Sequence, residues 1–248
     1  MRYFIELSYK GTKYAGFQVQ ENAPTIQQEV EKALQVFYRR HIPLTGSSRT
    51  DSGVHARQNY FHFDAEFEIA PKHVYNINAI LPNDIFIKKI FRVNDDAHCR
   101  FHATHRMYHY YISTAKDVFA QDTSWHYPYK TNIEVLNKTA GLLTLYNDFT
   151  SFSKRNTQTF TKLCTLQESE WIEAGDKLIY KVKANRFLRG MVRGLVATQL
   201  QVGRGKITVE EFKEIIEAKN CAKADFSAPA HGLFLEQVTF DFNKLVDF

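Results

Sequence analysis

Arg2-Tyr3-Phe4-Ile5-Glu6-Leu7-Ser8-Tyr9 opens the chain, and its alternation sets the fold class. Tyr3, Ile5, Leu7 and Tyr9 alternate with Arg2, Phe4, Glu6 and Ser8, the period of two that turns one face of a strand toward a core. The next periodic stretch changes to helical spacing. Thr25 and Gln28 make a capping-box pair, and Ile26, Val30, Ala33, Leu34, Phe37 and Tyr38 follow at helical intervals to about Arg39. A short strand near Pro43 to Gly46 and another from Arg57 to Phe63 come next. Pro71 suits the first turn of a helix that stops before Pro82, and Asp84 to Val93 reads as a strand. The order is βαββαβ.

The second half repeats it. His105 to Ser113 reads as a strand with Tyr108, Tyr110 and Ile112 on one face. Asn132 caps a helix carrying Val135, Leu136, Ala140, Leu142 and Leu143. Strands are expected near Lys162 to Ile172 and Lys177 to Asn185, a helix over Leu188 to Val202, a short helix capped by Thr208 and Glu211, and a closing strand over Leu233 to Asp241. The expectation is an α+β fold of two ferredoxin-like (RRM-like) βαββαβ units, sharing a mixed, mainly antiparallel sheet with helices packed on it. The division falls at 1–102 and 103–248. Such a topology hosts many functions and identifies none.

Composition narrows the class. At 248 residues, 44% hydrophobic and 24% charged, the chain has the make-up of a globular protein with a real core. Apolar runs are only a few residues long, so no spanning helix is expected. Met1 to Glu6 enters a strand pattern at once, without the apolar core of a signal peptide. Cys99, Cys164 and Cys221 are odd in number and far apart, which suits a reduced, cytoplasmic protein.

Two stretches carry chemistry. Ser47-Ser48-Arg49-Thr50-Asp51-Ser52-Gly53-Val54-His55-Ala56-Arg57 packs one carboxylate, two arginines, a histidine and four hydroxyls into eleven residues. A run that polar between apolar segments reads as a loop held on a scaffold, with Gly53 free to take a positive φ. Asp51 is its only acid; an aspartate there can equally be a turn former, bonding the backbone two residues on. The other stretch, Lys177 to Val209, holds Lys177, Lys181, Lys183, Arg186, Arg189, Arg193, Arg204 and Lys206 and no acid. Charged surfaces usually mix signs, so one sign points to a polyanion such as an RNA backbone.

Arg49-Thr50-Asp51-x-Gly53-Val54-His55-Ala56 resembles the R-T-D-x-G-V-H-A signature of the tRNA pseudouridine synthases of the TruA family. Ser48 and Ser52 depart from its frequent glycine and alanine. Tyr9 to Gln18 is similar to the family's Y-x-G-x-x-Y-x-G-W-Q segment, with Phe17 for tryptophan. Asn185-Arg186-Phe187-Leu188-Arg189-Gly190-Met191-Val192-Arg193-Gly194-Leu195-Val196 resembles N-x-F-x-x-x-M-V-R-x-[IL]-V, and Ala228 to Leu235 the terminal A-P-x-x-G-L-x-L. Arg106-Met107-Tyr108-His109-Tyr110 is similar to K/R-x-Y-x-Y, and the likeness runs from Tyr9 to Leu235.

The resemblance implies an isomerase that converts uridine to pseudouridine at positions 38, 39 and 40 of the tRNA anticodon arm, working as a homodimer. Asp51 falls on the catalytic aspartate, Arg193 on the arginine that ion-pairs with it, and Tyr108 on the active-site tyrosine beside the base. Arg49 could fill the space left by the flipped uridine, since a planar guanidinium stacks. Lys181, Lys183, Arg186, Arg189, Arg204 and Lys206 are the expected substrate-binding cations. A synthase on another RNA and a non-catalytic RNA-binding module of the same fold are the alternatives.

The reaction cuts the N1–C1′ bond, turns the base and joins C5 to C1′, so no group enters and no cofactor is expected. A metal is not expected either. His98, Cys99, His102, His105 and His109 lack zinc-ligand spacing, and His105 and His109 on one strand would lie about 13 Å apart.

Overall fold

The computed structural model describes residues 1–155 and 160–246. Two compact units make up the chain: Met1–Thr104 together with Leu235–Phe248, and His105–Phe234. The first begins β1 (Arg2–Tyr9), α1 (Ile26–Tyr38), β2 (Thr45–Gly46), β3 (His55–Asp64), α2 (Pro71–Asn78) and β4 (Ile85–Val93). Then come β5 (Ala103–Ser113), β6 (Trp125–His126), α3 (Ile133–Leu143), β7 (Leu166–Ala174), β8 (Lys177–Ala184), α4 (Met191–Gly203), α5 (Val209–Glu217) and β9 (Leu233–Phe240). Five α-helices thus accompany the strands among the described residues. β1 pairs antiparallel with β3 and β4, β2 with β3, and β8 with β5 and β7; β6 alone of these runs parallel, beside β5. The protein is an α+β fold with mostly antiparallel pairing. No helix among the described residues is long and apolar enough to cross a membrane.

Strand order in the first unit is β4-β1-β3-β9. β1 is therefore interior, and both its faces are buried, not only the Tyr3–Ile5–Leu7–Tyr9 face. Phe4 lies between His62 and Phe91 in register, with its ring 5.6 Å from that of Phe240. Glu6 is only 7% exposed and fully partnered. Gln58 Nε2 and the Tyr60 hydroxyl each donate to it at 3.0 Å, and Lys88 and Lys89 stand at 3.6 and 3.2 Å. Burial pushes the carboxyl up, but those hydrogen bonds and the lysine charge outweigh it and hold it below its ordinary value.

The C-terminal strand corrects the sequence division, which placed it in the second half. Leu235–Phe248 clusters with the first unit because its backbone and side chains find partners there. Val238 N–H donates to Gln58 Oε1 at 3.1 Å, Glu236 pairs with Arg57 at 3.4 Å, and Phe240 meets Tyr60 edge-on at 5.0 Å.

In the second unit β8 lies between β5 and β7, with α3 packed on β7 and on α4. Helix α4 is buried on nearly every side. It starts at Met191, three residues later than the spacing predicts, because Gly190 takes φ +74° at the cap. Buried Gln199 ties the layers: its Oε1 accepts from Thr139 on α3 at 3.2 Å and from the Trp171 indole on β7 at 3.0 Å. The capping box at Thr208 and Glu211 forms in full, while at Thr25 the hydroxyl accepts from Gln28 N–H at 3.3 Å.

Candidate active site

Asp51 sits on the loop between β2 and β3, and the first unit grips that loop by its backbone. Phe17 N–H donates to the Thr50 carbonyl at 3.1 Å, and Gly53 N–H to the Tyr14 carbonyl at 3.3 Å. The Tyr9 hydroxyl meets Thr50 Oγ1 at 2.8 Å. Fully buried Asn59 donates to the Ser48 carbonyl at 3.0 Å and to the Tyr9 hydroxyl at 3.1 Å, while its Oδ1 accepts from Ser47 Oγ at 2.8 Å. Gly53 takes φ +77°, as the turn requires, and Val54 N–H closes that turn on the Asp51 backbone carbonyl at 3.2 Å. Asp51 is partly exposed and Arg49 exposed beside it.

Two neighbours of this loop have structural work. His55 is fully buried, and its Nδ1 accepts from Gly11 N–H at 2.9 Å. Gly11 approaches so closely that a Cβ there would overlap the Val54 carbonyl. Phe17, at the position where tryptophan is usual, is 1% exposed and stacked between Tyr9 at 5.6 Å and Phe61 at 4.4 Å. That replacement therefore alters core packing and leaves no face for a substrate.

The remaining predicted residues lie in the second unit. Tyr108, on β5, is almost buried, with its ring edge-on to Phe187 at 5.0 Å. Tyr110 is fully buried and donates to the Pro229 carbonyl at 2.7 Å; burial pushes its phenol far above the usual range, so it packs and does not ionise. Arg193, in the first turn of α4, is half-buried and donates from Nε to the Ala228 carbonyl at 2.5 Å. Asn185 Oδ1 accepts from Thr165 N–H at 2.9 Å, fixing the turn before α4.

The cations divide into two sets. Lys181 and Lys183 project from β8 beside β7 and meet Glu170 at 3.8 Å and Glu168 at 3.2 Å. The run is acid-free along the chain but not in space. Arg204 lies over the Tyr129 ring at 3.6 Å and near that of Tyr127 at 5.7 Å. Arg189 and Lys206 are exposed and Arg186 partly so.

A further cationic feature escaped sequence reasoning. Lys154, Arg155, Lys162 and Lys219 line a cavity of about 260 Å³ with Thr150, Ser153, Asn220 and Cys221. Its cations are dispersed over more than sixty residues of chain. No linear pattern marks them.

The family described as tRNA pseudouridine synthase matches residues 146–241. Proteins named tRNA pseudouridine synthase A from Parabacteroides distasonis and Bacteroides fragilis are each 43% identical to this chain, over 241 and 242 residues, covering 96% of both partners in each comparison. The protein of that name from Staphylococcus aureus is 38% identical over 249 residues, 99% of this chain and 93% of its own.

Proposed function

Because this chain belongs to the tRNA pseudouridine synthase A family, we propose that it isomerises uridine to pseudouridine in tRNA, at positions 38, 39 and 40 of the anticodon stem-loop, with Asp51 as the catalytic carboxylate. The observation that carries the assignment of Asp51 is the rigid loop that presents it. Its backbone is bonded on both sides of residue 51 while the side chain stays partly open to solvent. Catalysis needs a reacting group held in place before substrate arrives.

The chemistry asks one thing of that carboxylate. As N1–C1′ breaks, the sugar carbon becomes electron-poor, much as in glycoside hydrolysis. An ionised Asp51 stabilises that charge, either directly or by taking a sugar proton. The detached base turns and C5 bonds to C1′; the C5 proton then leaves and N1 takes one up, so atoms balance. Water must be kept from the sugar carbon throughout, or hydrolysis replaces isomerisation.

The roles carried over from the family complete the reading. Arg193 is the countercharge to the aspartate. Tyr108 faces the base and accepts or relays the late proton. Arg49 fills the stack left by the flipped uridine. Arg186, Arg189, Arg204 and Lys206, with Lys181 and Lys183 behind their carboxylate partners, contact the RNA backbone. The acting form is a cytoplasmic homodimer with one tRNA on both subunits. The βαββαβ element order from β1 to β4 further supports a ferredoxin-like first unit.

The test is Asp51→Asn in single-turnover conversion of an anticodon stem-loop, beside equilibrium binding of the same RNA. Conversion should vanish while affinity stays within about twofold, the signature of a group acting in the transition state. Substantial conversion by this variant, checked free of deamidation, would end the case for Asp51.

A further inference from the structure

Folding of the first unit gathers three metal-binding side chains that sequence spacing keeps apart. His62 on β3 and the turn residues His98 and Cys99 each bring one donor atom to within 4.8 Å of the others. His62 Nδ1 lies 3.1 Å from Cys99 Sγ, and the His62 and His98 rings meet edge to face at 4.5 Å. Cys99 is fully buried and His62 nearly so, while His98 is half-buried and leaves one side open to solvent. A fixed positive charge that bears on both histidines is already balanced. The Arg2 guanidinium makes two bonds to Asp64, each of 2.9 Å.

We propose that His62, His98 and Cys99 form a site for a zinc-class divalent cation, with water as fourth ligand, that ties the turn after β4 to β3. Two imidazoles and a thiolate are a borderline-soft set that suits zinc and disfavours magnesium or calcium. In a tetrahedral zinc site with bonds of about 2.1–2.3 Å, donors stand roughly 3.5 Å apart. The present spread is wider by about one ångström and closes by rotating His98, the exposed arm. Loading the ion competes with existing contacts of the donor atoms: Sγ to the Thr45 and Tyr60 carbonyls at 3.1 and 4.0 Å, the Cys99 N–H bond to His62 Nδ1 at 3.4 Å, and the Arg100 N–H bond to His98 Nδ1 at 3.1 Å. The ion would clamp residues 37 apart in sequence, a loop whose closure restricts the unfolded chain. Its role is in folding; no step at Asp51 runs through it.

The experiment uses the full chain, stripped with chelator and titrated with Zn(II) and with Co(II). One equivalent of Co(II) should bind and give thiolate-to-cobalt charge-transfer absorption, and Zn(II) should displace it and raise Tm. Cys99→Ala should abolish the absorption, and His98→Ala should weaken binding at least tenfold. Because His98 is half-exposed, its variant should fold even where Cys99→Ala does not, as circular dichroism will show. A wild-type chain without the thiolate absorption, or Co(II) binding unchanged in His98→Ala, overturns the proposal.

Discussion

The aspartate loop and the cationic stretch are both strongly polar, yet they are built in opposite ways. In the loop, the backbone of Ser48, Thr50 and Gly53 is bonded to Asn59, Phe17 and Tyr14, which fixes the chain on both sides of Asp51. Lys181 and Lys183 instead hang from a strand on long stems against exposed carboxylates, and Arg189 and Lys206 are exposed. A reacting carboxylate loses its use when displaced by an ångström, so its support must be stiff. Charges that neutralise a backbone of phosphates work over several ångströms and tolerate loose anchoring. Rigidity therefore goes with the proposed chemical role and looseness with the proposed electrostatic one.

The sharpest way to break that comparison is Gly11→Ala. The new Cβ overlaps the Val54 carbonyl, a backbone atom that cannot move aside. A loss of about 3 kcal/mol in unfolding free energy is expected, together with a fall in turnover. Urea titration and single-turnover kinetics measure both; unchanged stability would mean the loop is not gripped as described.

Glu6→Gln should cost less, about 1–2 kcal/mol at neutral pH, because hydrogen bonds and lysine charge gathered on a buried carboxylate are lost. The sign with pH is definite. The folded carboxyl titrates below its ordinary value of 4.5, so its contribution is present above that pH and fades as pH falls through the folded value. The gap in Tm between wild type and variant should therefore shrink as the pH falls below 4.5. A gap that widens in acid would contradict the partner set.

The smallest effects sharpen the contrast among the cations. Arg189→Glu should flatten the salt dependence of tRNA binding by about one unit, one lost phosphate contact. Lys183→Ala removes a cation already partly neutralised by Glu168, so it should shift stability by under about 0.5 kcal/mol and flatten the salt slope by clearly less than Arg189→Glu does. Equal slopes for the two variants would erase the division.

Legibility follows the range of the forces involved. The caps at Asn132 and Thr208, the strand alternation and the Asp51 loop are local, and each could be read from a few neighbouring residues. Burial on the second face of β1 could not be read, because Phe91, His62 and Phe240 cover it from distant segments. Neither could the partners of Lys181 and Lys183, which sit on the adjacent strand. The His98–Cys99 pair was visible, but His62 completes it only through β3. Asp51 itself looked like an ordinary turn residue until the motif around it was matched, and the structure adds that the turn closes on its backbone carbonyl.

The return of Leu235–Phe248 to the first unit sets a schedule for synthesis. Strands β1, β3 and β4 leave the ribosome early, but beyond the short β2 pairing the flank of β3 that β9 covers has no mate until residues 233–240 emerge. During that interval the nascent chain carries an open sheet edge, with Tyr60 and Phe4 awaiting Phe240. The second unit, continuous from His105 to Phe234, can close before its older neighbour. The half made first is finished last.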